Sequence, residues 1–202
     1  MAGYVWRQQR GCTGWELAQR PITPFPLSRR SPTQRRDSLV AEHEPCTGKS
    51  DDWYTPREIF DALGLTFDLD PCSPGPGHWV PARRIYTKAD DGLGQPWDGL
   101  VFMNPPFGGR NGHVPWLRKF LEHANGIAIV RAYTSSSWFT RYAVQAEMML
   151  FPHGKTKFVR PDGSIGRAPG HGIVLLGIGG PAKLALVRSG LGWWATPHKQ
   201  TS

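Results

Sequence analysis

Residues 100–107 read Leu-Val-Phe-Met-Asn-Pro-Pro-Phe, and the glycine-rich loop Gly108-Gly109-Arg110-Asn111-Gly112 follows them. The four apolar residues predict a buried strand, because a short apolar run bounded by turn residues is typical of a sheet interior. Asn104 then stands at the carboxyl end of this strand, where open α/β sheets form their ligand crevices. The segment therefore predicts an α/β fold with a binding site beside Asn104.

The residues that end this strand suit the binding of a flat amino group. The side-chain oxygen of Asn104 and the carbonyl oxygen of Pro105 can each accept one proton of an exocyclic amine. Pro105 and Pro106 stiffen the turn, since proline fixes φ and lacks an N–H, and the Phe107 ring can stack on an attached heterocycle. We predict Asn104, Pro105, Pro106 and Phe107 as catalytic residues; a plain strand end bracketed by prolines is the alternative.

Asn104-Pro105-Pro106-Phe107 resembles the catalytic motif of amino-methyltransferases that use S-adenosylmethionine. A longer ordered series of motifs comprises Trp53-Tyr54-Thr55-Pro56, Asp68-Leu69-Asp70-Pro71, Tyr86-Thr87, Asp91-Gly92-Leu93 and Trp97. This series, within residues 51–180, resembles phage-type, Dam-like DNA N6-adenine methyltransferases. The resemblance implies a Rossmann-like S-adenosylmethionine-dependent methyltransferase fold, with S-adenosylmethionine as cofactor and double-stranded DNA as substrate.

The resemblance also indicates residues that contact the cofactor. In the family, the Thr-Pro turn lies against the methionine end of the cofactor, and an Asp-x-Leu run contacts the exocyclic amine of its adenine. Asp91 and Leu93 have the latter spacing, although an aspartate before a glycine is also a common turn. The predicted cofactor-binding residues are Tyr54, Thr55, Pro56, Asp70, Pro71, Cys72, Asp91, Gly92, Leu93 and Asn104.

Asp70 is a candidate on local grounds as well. It ends the alternating segment Leu65–Asp70, which predicts a strand, and the rigid loop Pro71–Gly77 follows. A carboxylate in this position can pair with a cationic methionine amine or with a ribose hydroxyl. The loop departs from the Gly-x-Gly pattern followed by a helix that many methyltransferases share, and reads Pro74-Gly75-Pro76-Gly77 instead.

Local patterns predict the flanking elements. Thr55, followed three residues later by Glu58, predicts a capping box for a helix that ends at Gly64. Pro115 predicts the start of a second helix that runs to about Ala124, and the segment Thr134-Ser135-Ser136-Ser137 predicts the cap of a third helix that carries Trp138. Further strands are predicted at Ile85–Thr87, Gly126–Val130, Met148–Phe151, Lys155–Arg160 and Gly172–Gly177. We expect a compact single domain with a mostly parallel sheet and helices or loops on each face.

The charge balance favours a polyanionic partner. The 202 residues carry a formal net charge of +8, with a pI near 9.8. A basic hairpin turning at Pro161-Asp162-Gly163 is the best DNA-contact candidate within the domain, and an edge strand protected by lysines is the alternative. The predicted DNA-binding residues are Lys155, Lys157, Arg160 and Arg167.

The chain divides into three predicted parts. Residues 1–50 are rich in proline and arginine without sustained periodicity, which predicts a disordered or loosely docked basic arm. Residues 51–195 form the methyltransferase domain, and residues 196–202 a frayed tail. Deletion of residues 1–49 is therefore expected to leave a folded, active domain.

Composition excludes several classes of protein. No apolar run approaches the ~20 residues of a membrane span, and no signal-peptide pattern opens the chain. Cys12, Cys46 and Cys72 are too few and too far apart for a disulfide framework or a zinc site. We expect a cytoplasmic monomer or weak dimer without a metal, in the host cytoplasm if a phage or prophage encodes it.

These patterns together favour site-specific methyl transfer from S-adenosylmethionine to the N6 amine of adenine in DNA, as in phage or restriction-modification enzymes. Transfer to an RNA amine or to a protein glutamine is an alternative within the same chemistry. A catalytically silent DNA-binding module is the alternative from another class.

Overall fold

The computed structural model describes residues 4–8, 15–19, 53–75, 77–106, 112–160, 162–166 and 171–197. The first two ranges form a unit of their own, an antiparallel hairpin of β1 (Tyr4–Gln8) and β2 (Trp15–Gln19). This hairpin was not predicted from the sequence of residues 1–50. The other residues of that predicted arm lie outside the described residues, so its order and its role stay predictions.

Within its described residues, the second unit consists of one seven-stranded sheet and four α-helices. The strands are β3 (Phe67–Asp70), β4 (Ala82–Ile85), β5 (Val101–Met103), β6 (Gly126–Arg131), β7 (Met148–Pro152), β8 (Ile173–Ile178) and β9 (Gly192–Ala195). The helices are α1 (Arg57–Leu63), α2 (Val114–His123), α3 (Ser137–Arg141) and α4 (Gly180–Arg188).

The strands lie in the order β4-β3-β5-β6-β8-β7-β9. The pairings β4–β3, β3–β5 and β5–β6 are parallel, whereas β6–β8, β8–β7 and β7–β9 are antiparallel. The sheet is therefore mixed, and the expectation of a mostly parallel sheet is wrong in its second half. A continuous apolar run is typical of a parallel strand, but β8, in which all six residues are buried, is antiparallel to both of its neighbours.

Helices cover both faces of the sheet, as predicted. Alternate residues of a strand point to opposite faces, so Phe102 packs toward α1 and α4 while Val101 and Met103 pack toward α2 and α3. Leu186 of α4 and Phe120 of α2 are fully buried in the two resulting layers of core. The three-layer arrangement leaves the carboxyl ends of β3 and β5 open at one edge.

The start of α1 corrects one predicted cap. Pro56 is the N-cap residue, and no side chain caps the helix there. Thr55 does not form the predicted capping box, because its side chain lies buried in the cleft described below. The other end of α1 is as predicted, with Gly64 in left-handed backbone at φ 59°.

The predicted basic strand is also corrected. Residues 155–160 contribute single bridges of Val159 to Tyr54 and to Ile165, instead of a continuous strand. The turn itself exists, since the Gly163 N–H donates to the Arg160 carbonyl at 2.9 Å. Helix α4 was not predicted from the sequence, and the short strand of Ala82–Ile85 was predicted about two residues too late.

No helix within the described ranges combines the length and the apolar character that crossing a membrane requires. In the same ranges, no group of three or more His, Cys, Asp or Glu side chains could hold a metal ion.

Candidate active site

A cleft of about 820 Å³ opens at the carboxyl ends of β3 and β5. Its walls come from the loops after β3, β4 and β5 and from the segment that precedes α1. Ten residues that we predicted to bind the cofactor or to act in catalysis line it: Tyr54, Thr55, Asp70, Pro71, Cys72, Asp91, Gly92, Asn104, Pro105 and Pro106. Motifs separated by up to fifty residues in sequence thus meet at one place.

Seven predicted site residues are not among those that line the cleft: Pro56, Leu93, Phe107, Lys155, Lys157, Arg160 and Arg167. Pro56 is the N-cap residue of α1, and the Leu93 carbonyl accepts a hydrogen bond from Lys119 Nζ at 2.5 Å. Phe107 and Arg167 lie outside the described residues. Their predicted roles in stacking and in DNA contact stay predictions.

Asn104 is the first residue beyond β5, and its side-chain amide has a defined orientation. Its Nδ2 donates to the Trp53 carbonyl at 3.1 Å. Because a carbonyl can only accept, this contact assigns the nitrogen to the Trp53 side and leaves Oδ1 as the free acceptor. Oδ1 is buried and has no hydrogen-bond partner within the described residues. Leaving such an acceptor buried and unsatisfied costs about 1–3 kcal/mol of folding free energy. A hydrogen bond from an N–H donor of a ligand would remove that cost.

Asp70 is a buried carboxyl group at the end of β3, with 3% of its surface exposed. Burial raises its pKa from 3.8 to about 7, although the Cys72 N–H donates to its Oδ1 at 3.2 Å and opposes this shift. Burial and the nearby Asp70 carboxyl group raise the pKa of the Cys72 thiol, which therefore stays protonated. Asp70 is thus a carboxyl group that a cation in the cleft would ionise.

The segment before α1 forms the opposite wall. Thr55 is 2% exposed, and its Oγ1 has no hydrogen-bond partner within the described residues. Its carbonyl accepts a hydrogen bond from Trp79 Nε1 at 2.7 Å, and the Tyr54 ring meets the Trp79 ring edge to face at 5.3 Å. Trp79 therefore holds this wall in place from the far end of the loop that follows β3.

The loop that carries Asp91 is pinned from several sides. Asp91 has left-handed backbone at φ 51° and closes the short 3-10 turn Lys88–Asp90. Trp97 Nε1 donates to the Gly92 carbonyl at 2.8 Å, and Lys119 Nζ donates to the carbonyls of Leu93 and Gln95. Helix α2 thus fixes the position from which the exposed Asp91 carboxylate reaches the cleft.

Gly92 allows this loop to lie against the loop after β3. A Cβ at this position would overlap the backbone carbonyl of Pro71 and would lie 3.3 Å from the Cβ of Tyr86. We expect Gly92→Ala to lower the free energy of unfolding by about 1–3 kcal/mol, because neither neighbour is a flexible side-chain end. Chemical denaturation checks this value.

Gly94→Ala is the matched control for that measurement. Its added Cβ would meet the Asp91 side chain first, and that carboxylate can move. An equal loss of stability in both variants would contradict the argument from close backbone approach at Gly92.

The three described basic residues predicted to contact DNA are Lys155, Lys157 and Arg160, and all are exposed. The guanidinium of Arg160 lies over the ring of Trp53, a residue that lines the cleft, at 5.3 Å from the ring centroid. Lys155 and Lys157 do not line the cleft, so a contact of theirs would lie outside it.

Several residues of the cleft were not predicted as site residues. Trp79, His78 and Ser73 lie in the loop after β3, Lys88 lies beside Asp91, and Trp116 belongs to α2. Their position in the sequence offered one signal, since the loop after a strand that ends in a candidate carboxylate borders the same crevice. Trp116 had none, because its place in the apolar stripe of a helix predicts core packing.

Comparison with known proteins identifies one protein family. The model of the family described as DNA N-6-adenine-methyltransferase (Dam) matches residues 44–171, more than half of the chain. The matched range includes every residue that lines the cleft. No curated protein and no solved structure matches significantly.

Proposed function

Because this chain belongs to the DNA N-6-adenine-methyltransferase (Dam) family, we propose that it transfers a methyl group from S-adenosylmethionine to the N6 amine of adenine. The proposed substrate is a specific sequence in double-stranded DNA. We further propose that the protein acts in the cytoplasm, as a phage or restriction-modification enzyme would, and without a metal ion.

The orientation of Asn104 is the observation that supports this proposal most directly. Its Oδ1 is a buried acceptor at the end of β5, beside Pro105 and Pro106 in the same cleft. An exocyclic amine carries two N–H donors, and Oδ1 and the Pro105 carbonyl offer one acceptor for each. Acceptors on both protons direct the nitrogen lone pair outward, toward the group with which it reacts.

The residues of the cleft fit S-adenosylmethionine. Asp70 offers a carboxyl group for a cationic amine, Asp91 an acceptor for an adenine amine, and Thr55 Oγ1 an unsatisfied hydroxyl. Trp79 and Trp116 add aromatic surface, and about 820 Å³ accommodates a cofactor together with a purine. When bound, the cofactor supplies a methyl group on a good leaving group.

The residues of the chain then act mainly by positioning. Holding the reacting atoms together can supply several kcal/mol of the barrier, and the excess proton can leave the amine after transfer without a strong base. The target adenine must leave the duplex to enter the cleft. We propose that Phe107 stacks on this adenine, and that Arg160, which lies over the Trp53 ring, contacts the DNA backbone.

Incubation of the purified protein and methyl-labelled cofactor with DNA, RNA and cell-extract protein, each separately, tests this function. We expect label in DNA, released as N6-methyladenine on nucleoside analysis. Label in RNA alone or in protein alone would contradict the substrate and keep the chemistry. Label in no fraction, with no cofactor binding by calorimetry, would favour a silent DNA-binding module.

A further inference from the structure

Trp53 touches both the candidate catalytic amide and the basic turn of residues 157–166. Its backbone carbonyl accepts from Asn104 Nδ2 at 3.1 Å, across fifty-one positions of sequence. Its ring lies under the Arg160 guanidinium, at 5.3 Å from the centroid. One residue therefore contacts the group proposed to hold the target amine and a group proposed to meet the DNA backbone.

The carbonyl of Trp53 decides which atom Asn104 presents to the cleft. Rotation of the amide by 180° would place Nδ2 where Oδ1 now stands. A donor there would repel the N–H groups of an amine or would bind its lone pair, which is the pair that must react. The orientation of Asn104 thus depends on the position of the Trp53 carbonyl.

The basic turn holds that carbonyl in place through the neighbouring residue. Tyr54 and Val159 exchange two backbone hydrogen bonds, at 2.8 and 3.0 Å, and form an isolated bridge. Movement of the Val159 backbone would therefore move Tyr54 and, with it, the peptide unit that carries the Trp53 carbonyl.

The turn also holds the Trp53 ring. Gly166 packs so closely that an added Cβ would overlap the ring. Its own N–H donates to the Phe158 carbonyl at 2.9 Å, and the Arg160 N–H donates to the Ser164 carbonyl at the same distance. The turn is thus closed by its own hydrogen bonds and contacts Trp53 through the ring as well as through the backbone.

From these contacts we propose that Trp53 is a positioning residue that couples the basic turn to the Asn104 amide, so that contacts made by DNA at the turn are transmitted to that amide. This rests on the proposed function of the site. The turn exposes Lys157 and Arg160 to a phosphate backbone. A phosphate that binds Arg160 would shift its guanidinium relative to the Trp53 ring and so shift the Trp53 carbonyl. The orientation of the Asn104 amide, and the atom that it presents to the target amine, depends on that carbonyl.

Kinetics of Trp53 variants test the coupling in the full-length protein. We expect Trp53→Ala to lower kcat about tenfold with cofactor affinity kept within a few fold, since a small misplacement at a reacting centre is costly. Trp53→Phe should recover most of this loss. Trp193→Ala is the control, because Trp193 is 58% exposed on β9 at the far edge of the sheet. A fall in kcat for the control equal to that for Trp53→Ala would overturn the proposal.

Two charge variants separate coupling from simple attraction. Arg160→Gln and Lys157→Gln each remove one positive charge from the turn, and within the described residues only Arg160 lies over the Trp53 ring. We expect Arg160→Gln to lower kcat as well as to raise KM for DNA, whereas the loss in Lys157→Gln falls mainly on KM. Identical effects of the two variants on kcat would contradict the coupling.

A measurement on the free protein keeps this inference separate from the proposed activity. The Asn104 side-chain amide, assigned by its absence in Asn104→Asp, is observed by ¹⁵N-resolved NMR. We expect slow proton exchange in the wild type and faster exchange in Trp53→Ala and in Gly166→Ala, whose added methyl group displaces the ring. Unchanged exchange in folded variants would overturn the positioning role even if the wild type methylates DNA. A clear change, without any methylation by the wild type, would keep that role and contradict the proposed function.

Discussion

Asn104→Ala is expected to lower the turnover of methyl transfer by about 10²–10³-fold, the usual cost of removing one positioned polar group at a reacting centre. The variant loses Oδ1, the buried acceptor without a partner within the described residues. Steady-state kinetics on DNA measure the loss, and calorimetry measures cofactor binding. We expect cofactor affinity to stay within a few fold of the wild-type value, because the Asn104 side chain is proposed to bind the amine of the target base.

Asn104→Asp is the matched variant for this prediction. It keeps the size of the side chain and an acceptor oxygen, but it replaces Nδ2 with a second oxygen that faces the Trp53 carbonyl. Two acceptors repel each other there, so the side chain must turn and turnover should fall strongly as well. Turnover near the wild-type value in either variant would contradict the catalytic assignment.

Asp70→Asn is expected to weaken cofactor binding about ten- to a hundred-fold at pH 8, the value of a hydrogen bond to a charged group. The pKa of Asp70 is about 7 in the free protein, so below pH 7 the carboxyl group is protonated. A cationic amine that pairs with the carboxylate must then release this proton. Affinity in the wild type should therefore fall about tenfold per unit below pH 7. Calorimetry between pH 5.5 and 8 checks this, and Asp70→Asn should lack the dependence.

The same substitution should stabilise the free protein. Because the folded pKa lies above the unfolded value of 3.8, the folded state binds the extra proton between these values, and stability falls as pH rises from about 4 to 7. Above pH 7 this loss of stability is complete, and it amounts to a few kcal/mol, as the difference between the two pKa values implies. The Asp70→Asn variant has no ionisable group at this position and avoids the loss. Denaturation of both proteins at pH 5 and pH 8 checks the sign. An increase in the stability of the wild type relative to Asp70→Asn as pH rises would contradict this prediction.

Much of the first half of the fold could be predicted from sequence, because short local patterns of apolar and turn residues mark its strands and helix ends. Val101–Met103 and Gly126–Arg131 are short apolar runs bounded by turn residues, and Gly64 marks the end of α1 through its positive φ. The direction of β8 could not be predicted, because its continuous apolar run is typical of a parallel strand, whereas it is an antiparallel strand buried on both faces. Helix α4 was missed because it opens with Gly180-Pro181, which is typical of a loop.

The candidate site, too, could be predicted only in part. Its residues could be named from motifs, each of which follows or precedes an element whose place in the sheet is regular. The contacts that orient them could not, because they join distant segments: the Trp53 carbonyl with Asn104, and Trp79 with the Thr55 carbonyl. Thr55 looked like a helix cap because spacing alone cannot tell a side chain that bonds its own backbone from one that enters a cleft.

The place of β8 in the sheet has a consequence for synthesis on the ribosome. β8 begins at Ile173, late in the 202-residue chain, yet it lies between β6 and β7. A nascent chain that has not reached this point can assemble only β4, β3, β5 and β6, and the open edge of that half-sheet is the largely buried strand β6. Exposed apolar edges of this kind favour pairing with other chains, so we expect the nascent chain to be prone to such pairing until β8 has been translated.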